Sequence, residues 1–421
     1  MSVENSATTT ESSAKTETVI LLGTDTPIGL AIVRDLGRHG HTTIGIGRVE
    51  SALAGYSRYC KRHFVRAKSE RLLIDQIKSL AAEFEASYLI AISENDLILL
   101  NGYRDELSDC LQLLIPAQEN LDLVLNKMEC MKHAEAVGIR TPRTWNIITF
   151  ADGIDLAGSL PYPVVLKWSD PNAVIAKLTS AGIDLEKAEF VRDRRELELS
   201  LSRFQDIGIF PMIQEYCPGG GLGQMFLCKD GEVVAEFQHE RIHEWPPEGG
   251  ISTLCRSVPL SKHGEMRKQS RELLKRLDWT GVAMVEFRYD EKNDDYKFME
   301  INGRFWGSLP LAIAAGVPFA AGLVSLSRST ERLPSIPKHY RIINACYFVP
   351  EAKRLFRLLF QVKRIDDPHY IPDPLKSLLI FLISPLRPST RYYVFQFSDP
   401  LPFLTDARKI LGKILRQFKN T

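Results

Sequence analysis

The chain has 421 residues, 44% hydrophobic and 25% charged, enough to bury a sizeable core across two or three domains. Its 53 basic and 52 acidic residues leave a net charge of +1, which argues against nucleic acid as a partner. The seven cysteines (Cys60, Cys110, Cys130, Cys217, Cys228, Cys255, Cys346) are scattered with no C-x-x-C. That pattern speaks against disulfides and zinc and for free thiols in a reducing compartment, so the expected setting is cytoplasmic.

Residues 1–16 (MSVENSATTTESSAKT) are polar, lack the apolar stretch of a secretory signal, and are expected to be a disordered tail. From Glu17, ETVILLG predicts a strand, GTDTPIG a turn, LAIVRDLGRHG an amphipathic helix ending at Gly40, and HTTIGIG a second strand. This unit opens a doubly wound, Rossmann-like domain over 17–115. Gly23 and Gly29 are spaced G-x-x-x-x-x-G, not G-x-G-x-x-G. A plain tight turn therefore competes with a nicotinamide-nucleotide site, and a reductase is one rival function. YLIAIS at 88–93 predicts a further strand, followed by a polar helix to about 113.

Near Ile115 the character changes. PAQENLDLVLNKMECMKHAEAVG predicts one helix stopped by Gly138, LPYPVVLKWSD a strand, and GIFPMIQEYCPGGGLG a strand with a glycine-rich turn. GQMFLCKDGEVVAEFQHE reads as a hairpin about Asp230-Gly231, and TGVAMVEFRYDEKNDDYKFMEINGRFWG as a second hairpin. Antiparallel hairpins among helices describe an α+β domain. HERIH at 239–243 fits the zinc motif H-E-x-x-H, which needs a helix. The strand-like approach, with Pro246, Pro247, Gly249 and Gly250 following, predicts none.

In the second hairpin, period two places Phe298, Glu300, Asn302 and Arg304 on one face. Symmetric pairing about Asn293 sets Glu286 opposite Glu300. Two facing carboxylates repel, more so in apolar surroundings. A divalent cation between them removes the conflict, with Asn302 as a neutral oxygen ligand and Arg304 aimed at phosphates held by the ion. The competing reading is a solvated polar face on which Arg304 pairs with Glu300.

The stretch from about Leu114 to Ala321 resembles the ATP-grasp superfamily, ligases that activate a carboxylate with ATP and join it to an amine. The resemblance rests on EINGRFWGSLPLAIAAGVPF, MVEF, the N-K…G-I-R-T-P stretch, YPVVLKWSD and IQEYCPG, and runs more weakly back to Val19. The implied fold is α/β and α+β: a Rossmann-like pre-ATP-grasp domain, an ATP-grasp domain over 116–325, and a helical or mixed C-terminal extension over 326–421. The implied cofactors are ATP and two Mg²⁺ (or Mn²⁺) ions held by Glu286, Glu300 and Asn302. The resemblance puts Arg304 on the phosphates as a clamp, Lys127 near them, Lys167 at adenine or the α-phosphate, and Gln214, Glu215 and Tyr216 at adenine and sugar. It also implies Arg241, in R-x-x-x-x-P-x-x-G-G-x-S-T, and Arg256 on the following strand as residues near the acyl substrate or γ-phosphate.

Two departures from the family pattern stand out. SDPNAVIAKLTSAG has only Gly182 where a flexible lid is expected, with Lys177 as a substitute cation. No ribose-binding acid follows the hinge, and Gln224 is its candidate stand-in. The implied activity is carboxylate–amine ligation through an acyl phosphate, with an amino acid expected as the amine. A nucleotide-binding module of weak turnover is the second rival.

From Glu331 onward the chain holds 16 Lys/Arg against 7 Asp/Glu, a surplus of nine. AKRLFRLLFQVKR and ARKILGKILRQFK interleave apolar and basic residues at helical spacing. Helices packed on the core are the leading reading, and peripheral contact with an anionic membrane surface is the alternative. SLLIFLISPL at 377–386 is too short to span a bilayer. Small-molecule carboxylate and amine substrates, and a homo-oligomer, complete the expected partners.

Overall fold

The computed structural model describes residues 16–328 and 339–419; positions 1–15 of the expected tail lie outside them. The first sheet is parallel and comprises β1 (Thr18–Leu22), β2 (Thr42–Gly47), β3 (Cys60–Val65), β4 (Tyr88–Ala91) and β5 (Gln112–Leu113), in the order β3-β2-β1-β4-β5. The apolar runs of β1 and β4 sit centrally, where helices cover both faces. β3 has no apolar face, as suits an edge strand.

The helix Pro27–Arg38 begins under Thr26, whose hydroxyl accepts from the Gly29 N–H, with Pro27 in the first turn where a missing N–H is tolerated. The turn glycines serve packing. A Cβ on Gly29 would lie 2.4 Å from the Gly23 carbonyl oxygen, and one on Gly23 would lie 2.3 Å from the Ile92 side chain. Ala54 closes over the turn by donating its N–H to the Thr24 carbonyl.

The helix expected up to Gly138 is two helices, Gln118–Leu125 and Lys127–Ala136. Asn126 leaves helical geometry at φ −84° and ψ 100°, and its side chain accepts from the N–H groups of Met128 and Glu129. An Asn side chain competing for backbone donors breaks a run that propensity alone would continue. The break makes Lys127 the first residue of the new helix, its N–H bound to the Ser169 carbonyl.

A four-stranded antiparallel lobe follows: β6 (Thr144–Trp145), β7 (Val164–Lys167), β8 (Glu189–Val191) and β9 (Met212–Glu215), ordered β6-β9-β7-β8. It has its own small core of Val164, Leu197, Leu201 and Ile213. The largest sheet contains β10 (Gly220–Lys229), β11 (Glu232–Trp245), β12 (Ile251–Ser257), β13 (Gly281–Asp290), β14 (Asp295–Asn302), β15 (Asn344–Cys346) and β16 (Thr390–Tyr392). Its order is β14-β13-β10-β11-β12-β15-β16. The β10–β11 turn puts Asp230 and Gly231 at φ 49° and 74°, the positive-φ pair that matches strand twist. In GGGLG, expected as a turn, only Gly219 turns, at φ 98°, and the residues from Gly220 open β10.

The C-terminal extension supplies β15 and β16 and so completes the large sheet. Farther along, Asp399 is gripped by the fully buried Arg34 at 2.9 Å and by Ser57 at 2.7 Å. The segment is thereby tied to the first domain as well.

Candidate active site

β13 and β14 pair with Met284 facing Asn302, Val285 facing Ile301 and Glu286 facing Glu300. Toward the tip the register slips by one, so that Phe287 faces Phe298 and Met299 is the extra residue of a bulge. This corrects the expected face, because an inserted residue inverts the alternation beyond it. Phe298 is fully buried in the core beside Phe287, while Glu300 and Asn302 keep to the other side.

The sheet face that carries Glu286 begins as core, with Met284, Met225 and Phe237 in one apolar cluster. It turns polar along a row of paired positions: Glu300, Glu286, Gly223, His239. In the same β13–β10 pairing, Arg288 faces Gly221. The bare glycines leave room for long side chains from β11. A Cβ on Gly221 would lie 2.6 Å from Arg241 Cδ, and one on Gly223 would lie 3.1 Å from His239 Cε1. Arg241 reaches Glu286 at 2.5 Å and Glu244 at 3.0 Å, and Glu244 also meets Arg288 at 3.5 Å. Sequence reasoning missed Gly221, Gly223, Glu244 and Arg288, and met His239 only as part of HERIH. The signal was GGGLG followed by alternating residues, a strand with one face stripped of side chains.

Burial pushes Glu286 above the ordinary carboxylate range, aided by the facing Glu300 and by Glu244 and opposed by Arg241. Burial acts on Glu300 in the same sense, but the charges of Lys127, Lys187, Arg304 and Lys167 outweigh it and hold Glu300 low. Lys127 Nζ is 3.8 Å from Glu300, and Asn302 donates its amide N–H to Glu300 at 3.2 Å, leaving its Oδ1 for another partner. Lys187 is a further cation that the sequence motifs did not flag. His239 is fully buried and pushed down to about 3 by burial and then by Arg241. It is therefore neutral, with Nδ1 3.2 Å from the Ser308 hydroxyl and Nε2 without a partner.

Among the described residues no group of three His, Cys, Asp or Glu could hold a metal. The candidate set is instead two carboxylates and an amide oxygen. These hard donors fit Mg²⁺ or Mn²⁺ in a site whose other positions go to phosphate oxygens and water. The conflict between the two acids is one a divalent ion relieves.

The small lobe brings the remaining candidates to the same cleft. Lys167 donates to Gln214 at 2.9 Å, and Gln214 donates in turn to Thr144 at 3.1 Å. Burial lowers the Lys167 ammonium, with Lys127 and Arg288 adding to the effect against Cys217 and Glu300. Glu215 is bracketed by Arg143 at 2.8 Å and Lys297 at 3.2 Å, which hold it low against its burial. Tyr216 donates to Asp367 at 3.2 Å and packs on His369; burial, then Asp367, pushes it up to about 12. Arg304 pairs with Glu94 of the first domain at 3.0 Å, 210 residues away, and not with Glu300.

Residues 256–333 match the family described as "Carbamoyl-phosphate synthase L chain, ATP binding domain". The biotin carboxylase domain of the Hydrogenobacter thermophilus 2-oxoglutarate carboxylase, crystallised with MgADP, ADP and bicarbonate, is similar at a TM-score of 0.59 and 15% identity. That likeness covers 78% of this chain and 73% of the other. The L-amino acid ligase from Bacillus licheniformis is similar at a TM-score of 0.54 and 16% identity, over 74% of each chain. The chain has the ATP-grasp fold. Among sequence relatives, the D-aspartate ligase of Enterococcus faecium (strain Aus0004) is 23% identical over 226 residues, 51% of this chain and 52% of that protein. The urea amidolyase of Lachancea kluyveri is 21% identical over 210 residues, 47% of this chain and 11% of that protein. The chain thus spans about half or less of these curated relatives.

Within the ATP-grasp domain, several expected residues stand elsewhere. Arg256 is half exposed and pairs with Glu240 at 2.8 Å across β11–β12, on the sheet face opposite Glu286. Gln224 is buried on that opposite face as well, within hydrogen-bond distance of Gln238 and Ser270, so it cannot serve a ribose in the cleft. The segment expected as a lid is the helix Pro171–Ser180, capped by Asp170, with Lys177 in its last turn. Asn172 of that helix also reaches Glu94, at 3.5 Å. HERIH lies in β11, as its flanks predicted, and His243 bonds Glu351 of the extension at 2.6 Å.

Proposed function

We propose that this ATP-grasp chain is an ATP- and Mg²⁺-dependent ligase joining a carboxylate to an amine, one of them an amino acid, through an acyl phosphate. The observation that carries the reading is the facing pair Glu286 and Glu300, with Asn302 beside it and Lys127, Lys167, Lys187 and Arg304 around it. The likeness to a D-aspartate ligase and to an L-amino acid ligase supports the choice of an amino acid. When bound, Mg²⁺ or Mn²⁺, expected as two ions, supplies positive charge to the β- and γ-phosphate oxygens.

Glu286, Glu300 and Asn302 are the residues that would hold the ions. Lys127 and Lys167 offset charge that spreads over the transferred phosphoryl group. Arg304 exchanges Glu94 for phosphate, and Arg241 exchanges Glu286 for the carboxylate of the acyl substrate. A carboxylate oxygen attacks the γ-phosphorus and ADP leaves. The amine nitrogen then attacks the acyl carbon, the bond to phosphate breaks, and the nitrogen gives up its proton. The acyl phosphate is already activated, so positioning and exclusion of water supply most of the rate. Gln214, Glu215 and Tyr216 line the nucleotide side of the cleft, Glu215 and Tyr216 through groups now engaged by Arg143, Lys297 and Asp367. We assign 17–115 to the pre-ATP-grasp domain, 116–325 to the ATP-grasp domain and 326–421 to the extension, with small-molecule substrates, a cytoplasmic setting and a homo-oligomeric assembly.

The 2.5 Å contact of Arg241 with Glu286 favours a second reading, a nucleotide-binding module of weak turnover, because it occupies one of the metal ligands. Phosphate release from ATP across a panel of carboxylates and amines separates the two. Release that depends on a particular pair, and is lost in folded Glu300→Ala and Asn302→Ala proteins, supports the ligase. Nucleotide binding without release supports the module, and full turnover in both variants removes the metal assignment.

A further inference from the structure

Beyond residue 339 many apolar side chains do not turn inward. The helix Phe348–Phe360 buries Leu355 and Leu358, yet Phe356 and Phe360 are 53% and 72% exposed. In the helix Pro374–Ile383 and the turn after it the usual pattern is reversed. The buried residues are Ser377 and Ser384, while Leu375, Leu379, Leu382 and Leu386 are 58–79% exposed. These four leucines, spaced four, three and four residues apart, fall along one stripe. The helix is fastened by its other side, where Phe381 stacks on Phe348 at 5.4 Å and Ser377 accepts from Arg354 at 3.3 Å. Exposed Val362 and Ile371 lie in the segment connecting the two helices.

The charges around this stripe are mostly of one sign, the acids being Asp366, which pairs with Arg192, Asp367, and Asp373 at the start of the helix. Lys353, Lys363, Arg364, Lys376 and Arg387 are exposed, and none forms an ion pair among the described residues. From 374 to 398 the sequence contains no Asp or Glu. An apolar stripe of this length on a monomer marks a docking surface, and the one-sided charge selects its occupant.

We infer that this stripe docks on an anionic lipid bilayer. A second copy of the chain, related by a two-fold axis, would bring together two faces that each carry more exposed Lys and Arg than acid, with the capping Asp373 as the nearest carboxylate. An anionic bilayer satisfies both features. The leucines enter the boundary between headgroups and acyl chains, and the lysines and arginines stay among the phosphates. Among the described residues no single helix is long and apolar enough to cross a membrane, so the contact lies along the surface. The inference stands on the extension alone and does not depend on the ligase reading.

Co-sedimentation of the full chain with vesicles tests it, using phosphatidylcholine alone and phosphatidylcholine mixed with phosphatidylglycerol. Binding is expected to the mixed vesicles and to weaken as salt is raised. Leu379→Asp/Leu382→Asp should weaken it at least about tenfold. Lys363→Glu/Arg364→Glu should weaken it by about tenfold or more. Both variants lie on the surface, and unchanged thermal unfolding certifies their fold. Failure of the natural chain to bind the mixed vesicles overturns the inference, as does equal binding to the neutral ones. A dimer seen in sedimentation velocity that Leu379→Asp disrupts, without vesicle binding, overturns it in favour of a second copy.

Discussion

On β13, Val285 and Phe287 enter one core while Glu286 and Arg288 face the cleft, where each meets an opposite charge, Arg241 or Glu244. On the helix Pro374–Ile383, Leu375, Leu379 and Leu382 face outward, and the Lys376 ammonium forms no ion pair among the described residues. Both segments carry apolar and charged side chains, and they differ in what their neighbours supply. Adjacent strands lie at fixed spacing and set a partner opposite every residue, so polar groups can be gathered and neutralised inside the molecule. A helix fastened along one side leaves the rest of its circumference to whatever the molecule meets. Paired charge is the mark of a built site, and unpaired charge beside apolar side chains is the mark of a surface awaiting a partner.

Substitution on each side gives the largest contrast. In a phosphate-release assay, Glu300→Ala should lower turnover by at least about a hundredfold. Leu379→Asp should leave release in solution unchanged; equal losses would merge the two regions into one functional unit. The next contrast is in stability. Phe287→Ala, from full burial, should cost roughly 3–5 kcal/mol in denaturant unfolding. Leu379→Ala should stay within about 0.5 kcal/mol, and a larger loss would show that the stripe already packs on something.

The third prediction concerns pH. His239 is neutral when folded, with its value near 3, below that of an unfolded histidine. Between about pH 6.5 and 3 the unfolded chain takes up a proton that the folded chain refuses, so stability falls as pH falls. The slope is up to about 1.4 kcal/mol per pH unit. His239→Gln should flatten it, and an unaltered slope in urea titrations would place the origin elsewhere. A modest effect is expected of Gly223→Ala, whose Cβ would lie 2.8 Å from the Met225 methyl and 3.1 Å from His239 Cε1. Because the methionine end can move, a loss of about 1 kcal/mol is expected, measured by the shift in thermal midpoint.

Much of the cleft was legible beforehand. The alternation in TGVAMVEF and KFMEIN placed two acids opposite each other, and they face each other in the sheet. The bulge at Met299 was not legible, since nothing along the strand announces an inserted residue, and it sent Phe298 into the core. Arg256 is one residue from Cys255 in sequence, yet it occupies the far face. Facing cannot be carried from one hairpin strand to the next through the register shifts between Arg241 and Glu244. Asn126 was readable as a cap but sat within a run of good helix formers. Glu94, Lys187 and Arg288 carry no motif, and only proximity reveals them.

By itself the sequence determined the central strands of the first sheet, the two hairpins, the β-turn at Asp230-Gly231, the non-helical state of HERIH and the pair of facing acids. All of these follow from neighbours along the chain, through side-chain alternation and backbone preference. The tertiary structure alone decided that Arg304 rests on Glu94, that Arg241 leans over Gly221 to Glu286, and that the leucines of the last apolar helix remain outside. Those outcomes depend on which distant segments come to share a surface, and on the charges and space each finds there.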